Sequence, residues 1–250
     1  MTERNTTELF LPNQIIRKLL RTALSEIGAT IAMGVAALGA LVFMLIADEA
    51  VEGDTHEFDQ SILLALREPG DLDNPVGPYW VEMAFADITA LGGYTVLTLL
   101  VVAVAGYLVA AGKRGSALLV VGAVASGTLL SNLLKMGFDR PRPDLVAHLA
   151  HAQSSSFPSG HAMLSAVTYL TLGVLLARVH EKRRTKIIVM TYAIVLTLLI
   201  GVSRVYLGVH WPTDVLAGWA LGAAWAALWW LLAWWLQRRG KIEPPGESAA

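Results

Sequence analysis

Lys135, Arg142, His161, Arg204, His210 and Asp214 are the residues of this chain best suited to chemistry, and they fall in three short, ordered motifs. The first is Lys135, six intervening residues, then Arg142-Pro143. The second is Pro158-Ser159-Gly160-His161. The third runs from Ser203-Arg204 through His210 to Asp214. Together they offer three cations, two imidazoles, a carboxylate and a Ser-Gly pair at a helix start. Such a set can hold a phosphate while one imidazole attacks phosphorus and the other protonates the leaving oxygen.

Each motif has a local logic. Lys135 is a compact point charge, whereas Arg142 and Arg204 present planar forks matched to phosphate oxygens. Pro141 and Pro143 stop the preceding helix and stiffen the turn after it; read alone, the segment is as much a basic helix stop as a binding site. Ser159 and Gly160 open a helix whose unpaired N–H groups favour an anion, and Ser159 can add its hydroxyl. His161 then stands in the first turn. The helix dipole does not favour a cationic His161, so bound phosphate has to help protonate it. Arg204 closes one apolar segment, His210 lies in the tight loop after it, and Pro212 suits the first turn of the next helix. Asp214, four residues after His210, can bring its carboxylate to one ring nitrogen and leave the other free to attack. An interfacial capping network is the plainer alternative for this motif. His148 and His151 lack an acidic partner at zincin spacing and read as exposed loop residues. His56 and His180 carry no pattern.

The elements that position these residues are apolar. The chain has 250 residues, of which only 16% are charged, against about 25% in soluble domains. Its mean hydropathy is +0.54. Six runs are long enough to cross a bilayer: 27–47, 91–111, 116–135, 160–179, 186–203 and 213–236. The expected fold is an all-α integral membrane protein, six transmembrane helices in a compact bundle with short interfacial helices. The first run is longer than a signal-peptide core and reads as a retained span. With both termini in the cytoplasm, fourteen of the 19 Lys and Arg residues lie on the cytoplasmic side, as the positive-inside tendency requires. The other five are Arg67, Lys135, Arg140, Arg142 and Arg204, three of them motif residues. The motifs therefore face outward. The absence of cysteine excludes disulfides and thiolate chemistry. A net charge of -1 makes no case for nucleic acid.

Around the 27–236 membrane domain, residues 1–26 form a cytoplasmic N-terminal segment and 237–250 a cytoplasmic tail. Residues 9–24 mix Leu and Ile with Arg17, Lys18 and Arg21, as an interfacial amphipathic helix would. The end of the tail, 243–250, is polar and expected to be disordered. The acidic stretch 48–90 reads as a solvated outer loop with short interfacial helices at 58–66 and 79–85. Trp225, Trp229, Trp230, Trp234 and Trp235 read as an aromatic belt at headgroup level. Glycines such as Gly122 and Gly222 read as helix-packing positions.

The three motifs resemble the three-part signature of the type 2 phosphatidic acid phosphatase superfamily, the lipid phosphate phosphatases. The match holds at Lys135, Arg142, Pro143, Pro158, Ser159, Gly160, His161, Ser203, Arg204, His210 and Asp214. The resemblance implies that His210 forms a phosphohistidine, Asp214 orients it and His161 is the general acid. It implies that Lys135, Arg142, Ser159, Gly160 and Arg204 bind the phosphoryl oxygens. No metal or other cofactor is implied, and no protein partner; the partners are the bilayer and a lipid phosphate substrate. The expectation is a multi-pass bacterial cytoplasmic-membrane enzyme with its site facing the periplasm. It would act on undecaprenyl diphosphate, with phosphatidate and phosphatidylglycerol phosphate as alternatives. A lipid A phosphatase or a phosphotransferase is compatible with the same motifs. A lipid-phosphate transporter or flippase fits less well, because the charges lie at span ends and no inverted repeat is visible. The soluble vanadate-dependent haloperoxidases share this type of pocket and suggest orthovanadate as an inhibitor.

Overall fold

A computed structural model describes residues 10–150, 154–180 and 182–242, with side-chain surroundings given from residue 25 onward except at positions 51 and 179. The expectations for the side chains of 9–24, for His151 and for the 243–250 tail fall outside the described residues. The elements are α1 (Phe10–Glu52), α2 (His56–Ala65), β1 (Arg67–Glu68), β2 (Asp71–Pro75), α3 (Tyr79–Ala90), α4 (Tyr94–Ala110), α5 (Arg114–Gly137), α6 (Gly160–Val179), α7 (Arg183–Tyr206) and α8 (Pro212–Arg238).

Among the described residues, five helices are long and apolar enough to cross a membrane: Ser25–Ala50 of α1, and α5, α6, α7 and α8. The segment expected as one span over 91–111 differs. Its helix, α4, starts at Tyr94, and α3 precedes it at an angle of 48° across a short break. Gly92 and Gly93 lie in the break. A side chain on Gly92 would put its Cβ 2.4 Å from Ile200 Cγ2, so the turn is wedged against α7. The pair counts as a sixth span only if the bent unit is taken as one. The N-terminal segment is not a separate helix either, since α1 runs unbroken from Phe10.

The bundle is built around α8, which packs against α1 and α6; α6 packs in turn against α5 and α7. Small residues set the α6–α8 approach. A Cβ on Gly218 would lie 2.8 Å from the Ser159 carbonyl oxygen, and one on Gly222 would lie 2.6 Å from that of Met163. The two backbones therefore touch, as small residues permit in membrane helices. That contact holds the first turn of α6, with His161, beside the first turn of α8, with Asp214.

The 48–90 stretch is more structured than a solvated loop. It holds α2, the antiparallel β1–β2 hairpin and α3. Leu63 of α2 is fully buried against Val146, Val205, Trp211 and Val215. Two charged residues of the stretch are also buried, Asp59 at 0% and Arg67 at 3% exposure. Both are paired with groups from α7 or α8. Arg67 Nη1 donates to the Tyr206 carbonyl oxygen at 3.0 Å.

The tryptophans of α8 do not form a simple belt. Trp229 lies over Gly122 of α5, where a Cβ would sit 2.5 Å from the ring. Trp225 Nε1 donates to Ser126 Oγ at 3.2 Å. Glycine and serine on α5 leave room for these rings inside the bundle. The later ones carry arginines on their rings, Arg178 on Trp230, Arg238 on Trp234 and Arg239 on Trp235.

Candidate active site

Four helix ends meet at one end of the bundle: the C-terminal turns of α5 and α7, and the adjoining N-terminal turns of α6 and α8. The motif residues lie there. Lys135, in the last turn of α5, donates from Nζ to the Ser155 carbonyl oxygen at 2.6 Å. Arg142, on the segment after α5, is pinned from behind by three carbonyl oxygens. Its Nε donates to Ser154 at 2.9 Å, Nη1 to Val209 at 2.5 Å and Nη2 to Ser155 at 3.4 Å. Arg204, in the last turn of α7 and 3% exposed, donates from Nη1 to Thr89 Oγ1 at 2.9 Å. Arg142 Nη1 lies 3.2 Å from His210 Nε2, and Gly160, the residue before His161, backs onto Lys135.

Several polar atoms of this pocket are buried with no hydrogen-bond partner among the described residues: Arg204 Nε, Ser159 Oγ and Ser131 Oγ. Buried polar groups are nearly always paired, so a cluster of exceptions calls for a reason. Each of the three can donate to an acceptor oxygen, and a phosphoryl group offers several. Gly160 completes the cradle: a Cβ there would approach Lys135 Cε at 3.5 Å and both Ser131 Oγ and Tyr94 Oη at 3.6 Å. His161 faces the α3–α4 break, with its Cδ2 3.4 Å from where a Cβ on Gly92 would be.

His210 is held on both ring nitrogens. Nδ1 lies 3.3 Å from Asp214 Oδ2, and Nε2 lies 3.2 Å from Arg142 Nη1. A carboxylate can only accept and a guanidinium can only donate. The neutral ring therefore carries its proton on Nδ1 and keeps a lone pair on Nε2, turned toward the cations. Burial, reinforced by the Arg204 and Arg142 charges, holds this imidazole well below its usual protonation range. If this ring attacks phosphorus, its neutrality has an observable consequence. As pH falls through about 6.5, the ordinary histidine value, kcat/KM should hold, and it should decline only below that. An acid limb centred near pH 7 would contradict it.

Asp214 has a second set of partners that the spacing of the motif did not reveal. Its Oδ2 accepts from the Trp211 N–H at 2.9 Å, so it also caps α8. Its Oδ1 accepts from Arg140 Nη1 at 2.6 Å. Arg140 in turn bonds from Nη2 to Asp59 Oδ2 at 2.8 Å and to Thr55 Oγ1 at 2.8 Å. Asp59 closes the ring, accepting from Thr213 N at 2.9 Å and from Thr213 Oγ1 at 2.7 Å. The corner of α8 that carries Asp214 is thus clamped by two buried carboxylates sharing one guanidinium. One side chain thus caps α8 and also lies 3.3 Å from the His210 ring.

Arg140, Asp59, Thr213 and the Ser154 and Ser155 carbonyls were absent from the sequence-based site. One signal pointed to Arg140, an outer cation outside the motifs in a chain that keeps most of its cations at the other end. His148 is exposed, with Nε2 2.6 Å from the Pro143 carbonyl oxygen, and stands apart from the cluster.

Known proteins are similar to this chain in sequence and in fold. Residues 116–238, which include all three motifs, match the PAP2 superfamily. The chain is 39% identical over 145 residues to phosphatidylglycerophosphatase B of Bacillus subtilis (strain 168), spanning 57% of this chain and 70% of that protein. It is 38% identical over 68 residues to undecaprenyl-diphosphatase of Sulfolobus acidocaldarius, 27% of this chain and 29% of that one. The crystal structure of the transmembrane PAP2 type phosphatidylglycerolphosphate phosphatase from Bacillus subtilis superposes with a TM-score of 0.71 at 31% identity. That alignment covers 83% of this chain and 97% of that chain. In motif order, sequence and fold alike, the chain belongs to the PAP2 superfamily and is a multi-span membrane enzyme, a phosphatase of lipid phosphates.

Proposed function

We propose that this enzyme releases phosphate from phosphatidylglycerol phosphate by way of a phosphohistidine on His210, without a metal ion. The observation that carries the mechanism is the neutral, buried His210, with its Nε2 lone pair beside Arg142 and its Nδ1 proton on Asp214. The substrate assignment is supported by the phosphatidylglycerophosphatase names of the Bacillus subtilis relative and its solved fold.

The substrate phosphoryl group lies among Lys135, Arg142, Arg204, Ser159 and the α6 N-terminus. Arg142 turns its Nη1 hydrogen from His210 Nε2 to a phosphoryl oxygen, which uncovers the lone pair. Nε2 then forms a bond to phosphorus as the bond from phosphorus to the lipid oxygen breaks. His161, protonated once the anion is bound, gives its proton to that oxygen. Asp214 stabilises the charge that develops on the His210 ring. In the second half a water attacks phosphorus, His161 takes its proton, and the P–N bond breaks to release inorganic phosphate and neutral His210. The three cations supply the charge stabilisation that divalent ions provide at other phosphoryl-transfer sites.

The sidedness follows from the charge pattern. The α6–α7 connection and the end of α8 carry Lys182, Arg183, Arg184, Arg238 and Arg239, which suit a cytoplasmic face. The motif end then faces outward, with both termini inside and the bent α3–α4 unit as the sixth span of a bacterial cytoplasmic-membrane protein.

Undecaprenyl diphosphate is the second reading, supported by the Sulfolobus relative over the motif-bearing part. Phosphate release from a panel of purified lipid phosphates, in detergent with a chelator present, separates the two. Phosphatidylglycerol phosphate is expected to give the highest kcat/KM, chelator to leave it unchanged, and orthovanadate to inhibit as a phosphate mimic. Loss of turnover on chelation would contradict metal independence. A preference for the diphosphate would favour the second reading.

A further inference from the structure

At the end of the bundle remote from His210, α1, α5, α6 and α8 do not close fully on one another. They enclose a cavity of about 370 Å³ whose walls are mainly apolar, including Ala32 of α1, Leu119 of α5, Val174 of α6 and Ala227 of α8. That size falls within the range of ligand pockets. Two cations belong to its lining, both at the helix ends: Arg178 in the last turn of α6 and Lys113 just before α5. The cavity is thus apolar along its length and cationic at one end, the polarity of a lipid with an anionic head.

Arg178 is set up to receive an anion. Its Nη1 donates to Gln237 Oε1 at 3.1 Å, and its guanidinium lies 5.1 Å from the Trp230 ring centroid. These contacts orient the fork and bring no negative charge to it. Among the described residues no carboxylate pairs with Arg178 or Lys113; the nearby Glu26 bonds to Arg238 instead. A half-buried arginine without a counter-ion costs more than an exposed one. Deeper in, Thr171 lines the cavity, and its buried Oγ1 has no partner among the described residues. Basic pockets between transmembrane helices at a cytoplasmic face are suited to phospholipid headgroups.

We propose that this cavity is a binding site for an anionic phospholipid, separate from the catalytic pocket, with the lipid phosphate on Arg178 and Lys113 and one acyl chain between α1, α5 and α8. The bound lipid closes the gap in the bundle and stabilises the fold. The site depends on the cavity and its two cations, and it stands whichever lipid phosphate the enzyme hydrolyses.

The test uses the full chain, purified and delipidated in neutral detergent, with thermal unfolding followed as lipid is added. Phosphatidylglycerol is expected to raise the midpoint by about 5 °C at saturation. Phosphatidylcholine, which has the chains and phosphate but no net negative charge, and inorganic phosphate, which has no chain, should give little. The Arg178→Gln, Lys113→Gln double variant should lose the phosphatidylglycerol shift while hydrolysing substrate in detergent at the wild-type rate. If that variant does not fold, Ala227→Phe fills the cavity with both cations in place and should lose the shift likewise. Equal stabilisation by phosphatidylcholine, a full shift from inorganic phosphate, or a full phosphatidylglycerol shift in either variant would overturn the proposal.

Discussion

Replacing His210 with alanine is expected to lower kcat/KM by about four to six orders of magnitude, the scale on which loss of a covalent nucleophile is felt elsewhere. Neither Lys135, Arg142 nor Asp214 can take over the attack. Lys135 and Arg142 are tied to the Ser154 and Ser155 carbonyls, and Asp214 is occupied by Arg140, Trp211 and His210. Because His210 is only 2% exposed, alanine also leaves a gap. The His210→Gln variant fills more of that gap and keeps a polar side chain, and it should be just as inactive while unfolding near the wild-type temperature. Phosphate release measured with both variants checks the point. Residual turnover within about tenfold of wild type in either would show that the imidazole is not the nucleophile.

The second large effect falls on a residue outside the three motifs. Arg140 joins Asp59 and Asp214, both of whose side chains are fully buried. Removing a shared partner leaves two uncompensated carboxylates beside each other, and breaking one buried pair typically costs about 3–5 kcal/mol. Arg140→Ala should therefore destabilise the protein in detergent by at least that amount. It should also lower turnover, because Asp214 no longer has a fixed place from which to orient His210. Asp59→Asn tests the same clamp more gently: the amide keeps its volume and an acceptor for Thr213 but loses the ion pair with Arg140. It should fold, with a smaller loss in both properties. Thermal unfolding and phosphate release measured side by side decide the matter. Wild-type stability in Arg140→Ala would show that the clamp contributes nothing.

The sequence revealed the pocket more readily than its support, for a physical reason. In an apolar chain each charge near a membrane is costly and stands out. Lys135, Arg142, His161, Arg204, His210 and Asp214 were therefore legible as a set, and three of the helix ends that bring them together could be placed from hydropathy. The clamp was not legible, because Asp59 reaches Thr213 across 154 positions of sequence and Arg140 across 81. No local spacing encodes such a contact, and Asp59 sits among other acidic residues that are exposed. The α3–α4 break was hidden for a different reason. Gly92 and Gly93 are ordinary turn signals, but apolar residues flank them on both sides, so hydropathy reads through the bend. The inward turn of Trp225 and Trp229 depends on Ser126 and Gly122, small residues on another helix whose facing cannot be read from α8 alone.

Catalysis by this route passes through one covalent species, and the most direct measurement is to trap it. The enzyme, incubated briefly with a substrate radiolabelled in its phosphate, is quenched in alkali, digested and mapped. Label is expected on the peptide containing His210, stable in base and lost in acid, with none in His210→Ala. Label on His161 or on a serine, or wild-type turnover with no labelled enzyme and inversion at a chiral phosphorus, would contradict a phosphohistidine at His210.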